Sequence, residues 1–114
     1  ASFSAAGGGT AYTAAKHGVI GLTRQLTFDY GKKGIRVNAI CPGATLTGLT
    51  NPDGGSDTLP DSEPEIMRTP AQRWCQPVEI ARLALYLASD DADFIHGTSM
   101  VIDGGWLTAA RNPI

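Results

Sequence analysis

A chain of 114 residues, 42% hydrophobic and 18% charged, has the length and composition of at most one globular domain. Nine basic residues against eleven acidic ones leave a net charge of -2, which argues against nucleic acid or an anionic membrane surface as a partner. With no apolar run near the roughly 20 residues that span a bilayer, and no basic-then-apolar leader, the expectation is a cytoplasmic protein with no membrane partner.

In chain order, residues 1 to 10 read as the end of a strand followed by the loop Gly7-Gly8-Gly9-Thr10, with two hydroxyls, Ser2 and Ser4, just upstream. A hydroxyl placed there could polarise a carbonyl oxygen. From Tyr12 to about Tyr30 the apolar positions Ala15, Val19, Leu22, Leu26 and Tyr30 recur at spacings of three and four, which predicts a helix. Gly18 and Gly21 would each weaken that helix by up to about 1 kcal/mol against alanine, so close approach of another element is the expected reason for them. Gly31 or Gly34 supplies the left-handed end.

Tyr12 and Lys16 open this helix four residues apart, so their side chains share one face. An ammonium beside a phenol favours the phenolate, which equips a tyrosine to act as a general acid or base. The pair is the candidate catalytic centre.

Ile35 to Cys41, rich in Ile, Val and Ala and bounded by Gly34 and Pro42, reads as a fully buried parallel strand. Ligands of open α/β sheets bind beyond the carboxyl ends of strands, and Pro42-Gly43 lies at such an end. Thr47 to about Arg73 is dominated by turn residues. It reads as a substrate-covering connection with one short helix near Pro64 to Arg68. Pro77 opens a second long helix with Ile80, Leu83, Ala84 and Leu87 as its core stripe and Glu79 with Arg82 as an exposed pair. Ser89 to Asp93 ends it, Ser99 to Ile102 is a last short strand, and Asp103-Gly104-Gly105 turns out of that strand. Cys41 and Cys75 are expected to be free thiols, and His17 and His96 stand alone, so no metal site is expected.

Taken together, Ser2, Tyr12 and Lys16, the run Arg36-Val37-Asn38-Ala39-Ile40-Cys41-Pro42-Gly43, and Asp103-Gly104-Gly105 resemble the C-terminal half of a short-chain dehydrogenase/reductase. The resemblance implies an α/β fold, the C-terminal part of a single-domain, Rossmann-like, doubly wound parallel sheet. Residues 1–114 would then be part of that domain, lacking the N-terminal dinucleotide-binding half. It further implies an NAD(P)-dependent oxidoreductase interconverting a secondary alcohol and a ketone. Tyr12 would be the general acid/base, and Ser2, with Ser4 in reserve, would hold the substrate oxygen. The cofactor, NAD or NADP, would be bound by Tyr12, Lys16, Pro42, Gly43, Thr45 and Thr47. Trp106 and Leu107 are implied interface residues, and a homotetramer or homodimer is implied through the Tyr12 helix. The rival expectation is a non-catalytic fragment or scaffold that keeps the fold but binds no cofactor alone.

Overall fold

The structure, a computed structural model, describes residues 8–51 and 63–109. Its regular elements are α1 (Gly9–Tyr30), β1 (Ala39–Pro42), α2 (Pro64–Met67), α3 (Pro77–Ala88), β2 (Ser99–Ile102) and α4 (Trp106–Ala109), with short 3-10 turns at Gly31–Lys33 and Asp90–Ala92. The strands pair as a two-stranded sheet. Ala39 N–H donates to Thr98 O and Gly43 N–H to Ile102 O, a constant offset that makes the pair parallel. The chain divides into two compact units: one runs through Cys41 and takes in Tyr86–Met100, and the other comprises Pro42–Leu85 with the stretch from Val101 onward.

Helix α1 begins at Gly9, with Gly8 in the left-handed region at φ 78° as its N-cap. It gives way to a 3-10 turn that ends at Gly34, the glycine that takes up the left-handed conformation (φ 80°), whereas Gly31 stays right-handed. Ile20 and Thr23 are the buried positions of this helix. Val19 and Leu22 of the expected apolar stripe are exposed. At Gly18 and Gly21 an added Cβ would meet nothing within 4 Å among the described residues, so no described part of this chain makes the close approach expected there.

The strand expected over Ile35 to Cys41 starts four residues later, at Ala39, because residues 36 to 38 have other partners. Arg36 donates to Leu87 O (2.7 Å) and Ser89 O (3.1 Å), placing a guanidinium on the last carbonyls of α3, where a cation is favoured. Val37 O accepts from Gly97 N–H (2.8 Å) and lies 3.0 Å from the Thr27 hydroxyl. Asn38 Nδ2 donates to Ile95 O (2.8 Å), while its Oδ1 accepts from Thr98 N–H (3.1 Å). The side chain of Asn38 thus replaces the ladder bonds that a longer strand would make. Nor is β1 fully buried: Ala39 is buried, Ile40 and Cys41 are half-buried and Pro42 is exposed, as fits a strand with a single described neighbour.

Helix α2 forms where Pro64 can occupy a first helical turn, and its Ile66 is only 1% exposed. In α3 the expected stripe is shallower than predicted: Leu87 is buried, Ile80 and Leu83 are half-buried and Ala84 is exposed, since few described side chains cover it. Beyond β2, Asp103 accepts from Gly105 N–H (2.8 Å) and Leu107 N–H (2.9 Å), a side-chain cap that starts α4, a turn of helix absent from the sequence expectation. Trp106 and Leu107 are both half-buried in it, and the Arg68 guanidinium lies 5.8 Å from a Trp106 ring centroid.

Candidate active site

Tyr12 and Lys16 are one turn apart on α1, and the Lys16 ammonium lies 5.2 Å from the centroid of the Tyr12 ring. Helical side chains lean towards the helix N-terminus, and here that lean carries the ring onto Gly8. A Cβ built on Gly8 would lie 2.5 Å from Tyr12 Cδ1 and 2.6 Å from Cγ. Glycine is therefore required at position 8 twice over, by the left-handed backbone and by the ring against it. Tyr12 is 45% exposed, so its ring is not sealed in an apolar interior. Ser2 and Ser4 lie outside the described residues. His17 Nδ1 is 2.9 Å from Thr13 O on the same helix, an interaction internal to its own turn.

The second candidate set, Pro42, Gly43, Thr45 and Thr47, forms one continuous stretch at the carboxyl end of β1. Gly43 is pressed against the turn after β2: an added Cβ would come within 2.8 Å of Asp103 Cα and 2.9 Å of its Cβ. The next residues are wound into a hydroxyl-bonded turn. Thr47 N–H donates to Thr50 Oγ1 (2.8 Å), which also lies 2.9 Å from Thr45 O and 3.0 Å from Thr47 O. Thr50 was not singled out from the sequence, although a threonine three residues after Thr47 is a recognisable side-chain-to-backbone turn signal. The Thr47 side chain is exposed at this turn. Thr45 Oγ1 lies 3.0 Å from Gly43 O.

The same stretch is bordered by residues 73 to 79. Thr45 and Cys75 form an isolated parallel bridge, with Cys75 N–H donating to Ala44 O (3.0 Å) and Leu46 N–H to Cys75 O (2.9 Å). Glu79 does not pair with Arg82 as expected. Its carboxylate receives both Arg73 Nη1 and Nη2 at 2.8 Å and Gln76 N–H at 2.8 Å. A bidentate fork plus the reciprocal bond of a capping box outcompetes a single-point pair one turn along the helix. The Arg73 guanidinium, then the Gln76 N–H, hold the Glu79 carboxyl down at about 2. Partial burial, and then the nearby Glu79 charge, push the Cys75 thiol up. Cys41 and Cys75 are not joined in a disulfide. A cavity of about 190 Å³ is lined by Ala44, Thr69, Arg73, Cys75, Glu79 and Asp103 among others. Among the described residues no cluster of His, Cys, Asp and Glu could hold a metal, and no helix is long and apolar enough to cross a membrane.

A family model described as enoyl-(acyl carrier protein) reductase matches residues 1–107. The chain is 44% identical over 104 residues to 3β-hydroxysteroid dehydrogenase 2 of Eggerthella lenta, an overlap of 87% of this chain and 38% of that protein. Among solved structures it resembles 4-hydroxyisoleucine dehydrogenase complexed with NADH (TM-score 0.81, 38% identity, 94% of this chain and 43% of that one). It also resembles an Agrobacterium tumefaciens protein described as a 2-deoxy-D-gluconate 3-dehydrogenase with bound NADP (TM-score 0.82, 40% identity, 94% and 43%). The chain thus spans about two fifths of the length of the relatives it matches.

Proposed function

Because the chain belongs to the short-chain dehydrogenase/reductase family and has its Rossmann-type α/β fold, we propose that it is the C-terminal part of an NAD(P)-dependent oxidoreductase that interconverts a secondary alcohol and a ketone. The observation that carries this reading is the half-exposed Tyr12 ring with the Lys16 ammonium over it, at the start of a long helix. In this reading Tyr12 hands a proton to, or takes one from, the substrate oxygen, as a general acid/base. Lys16, whose ammonium lies 5.2 Å from the centroid of the Tyr12 ring, is the cation that partners the phenol in this reading. Ser2, or Ser4 in its place, donates a hydrogen bond to the same substrate oxygen.

The stretch after β1 suits a dinucleotide by its chemistry. Its backbone lies at the carboxyl end of a parallel strand, Gly43 has no side chain, and the Thr47 hydroxyl is exposed. Pro42, Gly43, Thr45 and Thr47 would hold the cofactor together with Tyr12 and Lys16. The bound NAD or NADP supplies the hydride, while the protein supplies orientation and the proton. The relatives' names point to a hydroxysteroid, a hydroxyamino acid and a deoxygluconate, so the substrate class common to them is a small-molecule alcohol. A homodimer or homotetramer through α1 is supported by the exposed Val19 and Leu22 and the open space at Gly18 and Gly21.

A second reading applies to the isolated 114 residues, which cover only about two fifths of each relative's length. Alone they are expected to be a non-catalytic fragment that binds no dinucleotide. Titrating NADH and NADPH into the full-length protein and into this chain separates the two readings: binding by the full-length protein only is the expected result. Absence of binding by both would refute the oxidoreductase reading.

A further inference from the structure

The stretch proposed to hold the dinucleotide is gripped from two sides. On one side Gly43 N–H donates to Ile102 O at 3.0 Å. On the other, Cys75 N–H donates to Ala44 O and Leu46 N–H to Cys75 O, which ties Ala44 to Leu46 to the backbone of Cys75. A one-residue bridge has little hold of its own, so its position depends on what fixes Cys75. Arg73 and Glu79 do so by closing a ring around it: both guanidinium nitrogens meet the carboxylate, and the same carboxylate takes the N–H of Gln76, the next residue after Cys75. The thiol of Cys75 lies 3.6 Å from Gln76 O.

Magnitudes decide what this ring is for. The pair is partly solvent-exposed, with side-chain exposures of 54% and 28%, and ion pairs in contact with solvent contribute only about 0–1 kcal/mol to stability. A bidentate fork is, however, geometrically exacting, and displacing a binding loop by about 1 Å can cost on the order of 100-fold in a catalytic parameter. We propose that Arg73 and Glu79 are positioning residues for the dinucleotide, acting through the Cys75 backbone to set the place of the Gly43–Thr47 stretch. The inference rests on the oxidoreductase reading given above.

The test uses the full-length protein and reads NADH and NADPH affinity by fluorescence titration, with thermal melting beside it. Arg73→Met and Glu79→Ala are each expected to weaken binding of the preferred dinucleotide by about tenfold, while the melting temperature shifts little. The double variant is expected to be no weaker than either single one, since two residues acting as one unit are non-additive. Cys75→Ala should leave affinity within about twofold, because the coupling runs through backbone groups that alanine retains. Arg73→Lys keeps the charge without the fork and is expected to be intermediate, at about threefold, which covers the case of a poorly folding truncation. With saturating dinucleotide, turnover should fall far less than affinity. Single variants that bind as tightly as the wild type, or losses that add in the double variant, overturn the inference alone. A wild-type protein that binds neither dinucleotide overturns the oxidoreductase reading and this inference with it.

Discussion

Replacing Gly105 by alanine is the sharpest structural test, because its cost can be worked from two separate quantities. Gly105 has φ +90°, and an added Cβ would lie 2.8 Å from Pro70 Cγ and 3.1 Å from Pro70 Cβ and Cδ. The left-handed backbone costs a non-glycine residue roughly 1–2 kcal/mol. Forcing a methyl into a gap already filled by a proline ring costs about 1–3 kcal/mol more. The expected loss is therefore about 2–5 kcal/mol, at the low end if the exposed Pro70 can yield. Neighbouring Gly104, at φ +62° with Thr69 Cγ2 and Ala71 Cβ both 2.9 Å from an added Cβ, should behave alike. Urea denaturation of the full-length protein, monitored by circular dichroism, measures the loss. Gly18→Ala in the isolated chain is the control, since it adds a methyl in open space within a helix and should gain up to about 1 kcal/mol. A Gly105→Ala protein as stable as the wild type would refute the packing seen between Pro70 and the turn after β2.

Asn38→Ala should lower stability by about 2 kcal/mol, because Ile95 O and Thr98 N–H both lose a partner. Asn38→Asp should be no better, since a carboxylate would face the Ile95 carbonyl; denaturant melts of both variants check this. Glu79 has a folded-state value of about 2, below its ordinary 4.5, so its contribution to stability is present above about pH 4.5 and is lost as pH falls towards 2. Comparing denaturation midpoints at pH 5 and pH 3, Glu79→Gln should therefore be less pH-sensitive than the wild type. If the proposed assembly through α1 holds, Gly18→Leu combined with Gly21→Leu should dissociate it, read by sedimentation velocity; an unchanged sedimentation coefficient would rule out assembly through that face of α1.

What could be read from the sequence followed from how local each signal was. The spacing from Tyr12 to Tyr30, Pro64, Pro77 and the run Ser99 to Ile102 each carry their instruction within a few residues, and each produced the expected element. β1 starts later than the local pattern predicts because Arg36 and Asn38 answer to residues 51 to 60 positions away, partners that no local pattern reveals. Helix spacing alone pairs Glu79 with Arg82. The alternative, a glutamate at the third helical position counting Pro77 as the first, is present in the sequence as half of a capping box, but the Arg73 fork lies outside the helix. Positions 18 and 21 were expected to be crowded and are open, because a glycine's reason can lie on a surface that a single chain leaves uncovered. The approach of Lys16 to Tyr12 was legible because one helical turn fixes both side chains, whereas Ser2 lies outside the described residues.

The central claim is that the Tyr12 phenol transfers the substrate's proton. Tyr12→Phe in the full-length protein removes that one oxygen and leaves the ring on Gly8. Across a panel of secondary alcohols and ketones, NAD(P)H-linked turnover should fall by about 10²–10⁴-fold, with dinucleotide affinity changed only a few-fold. Turnover that survives the substitution would contradict the account.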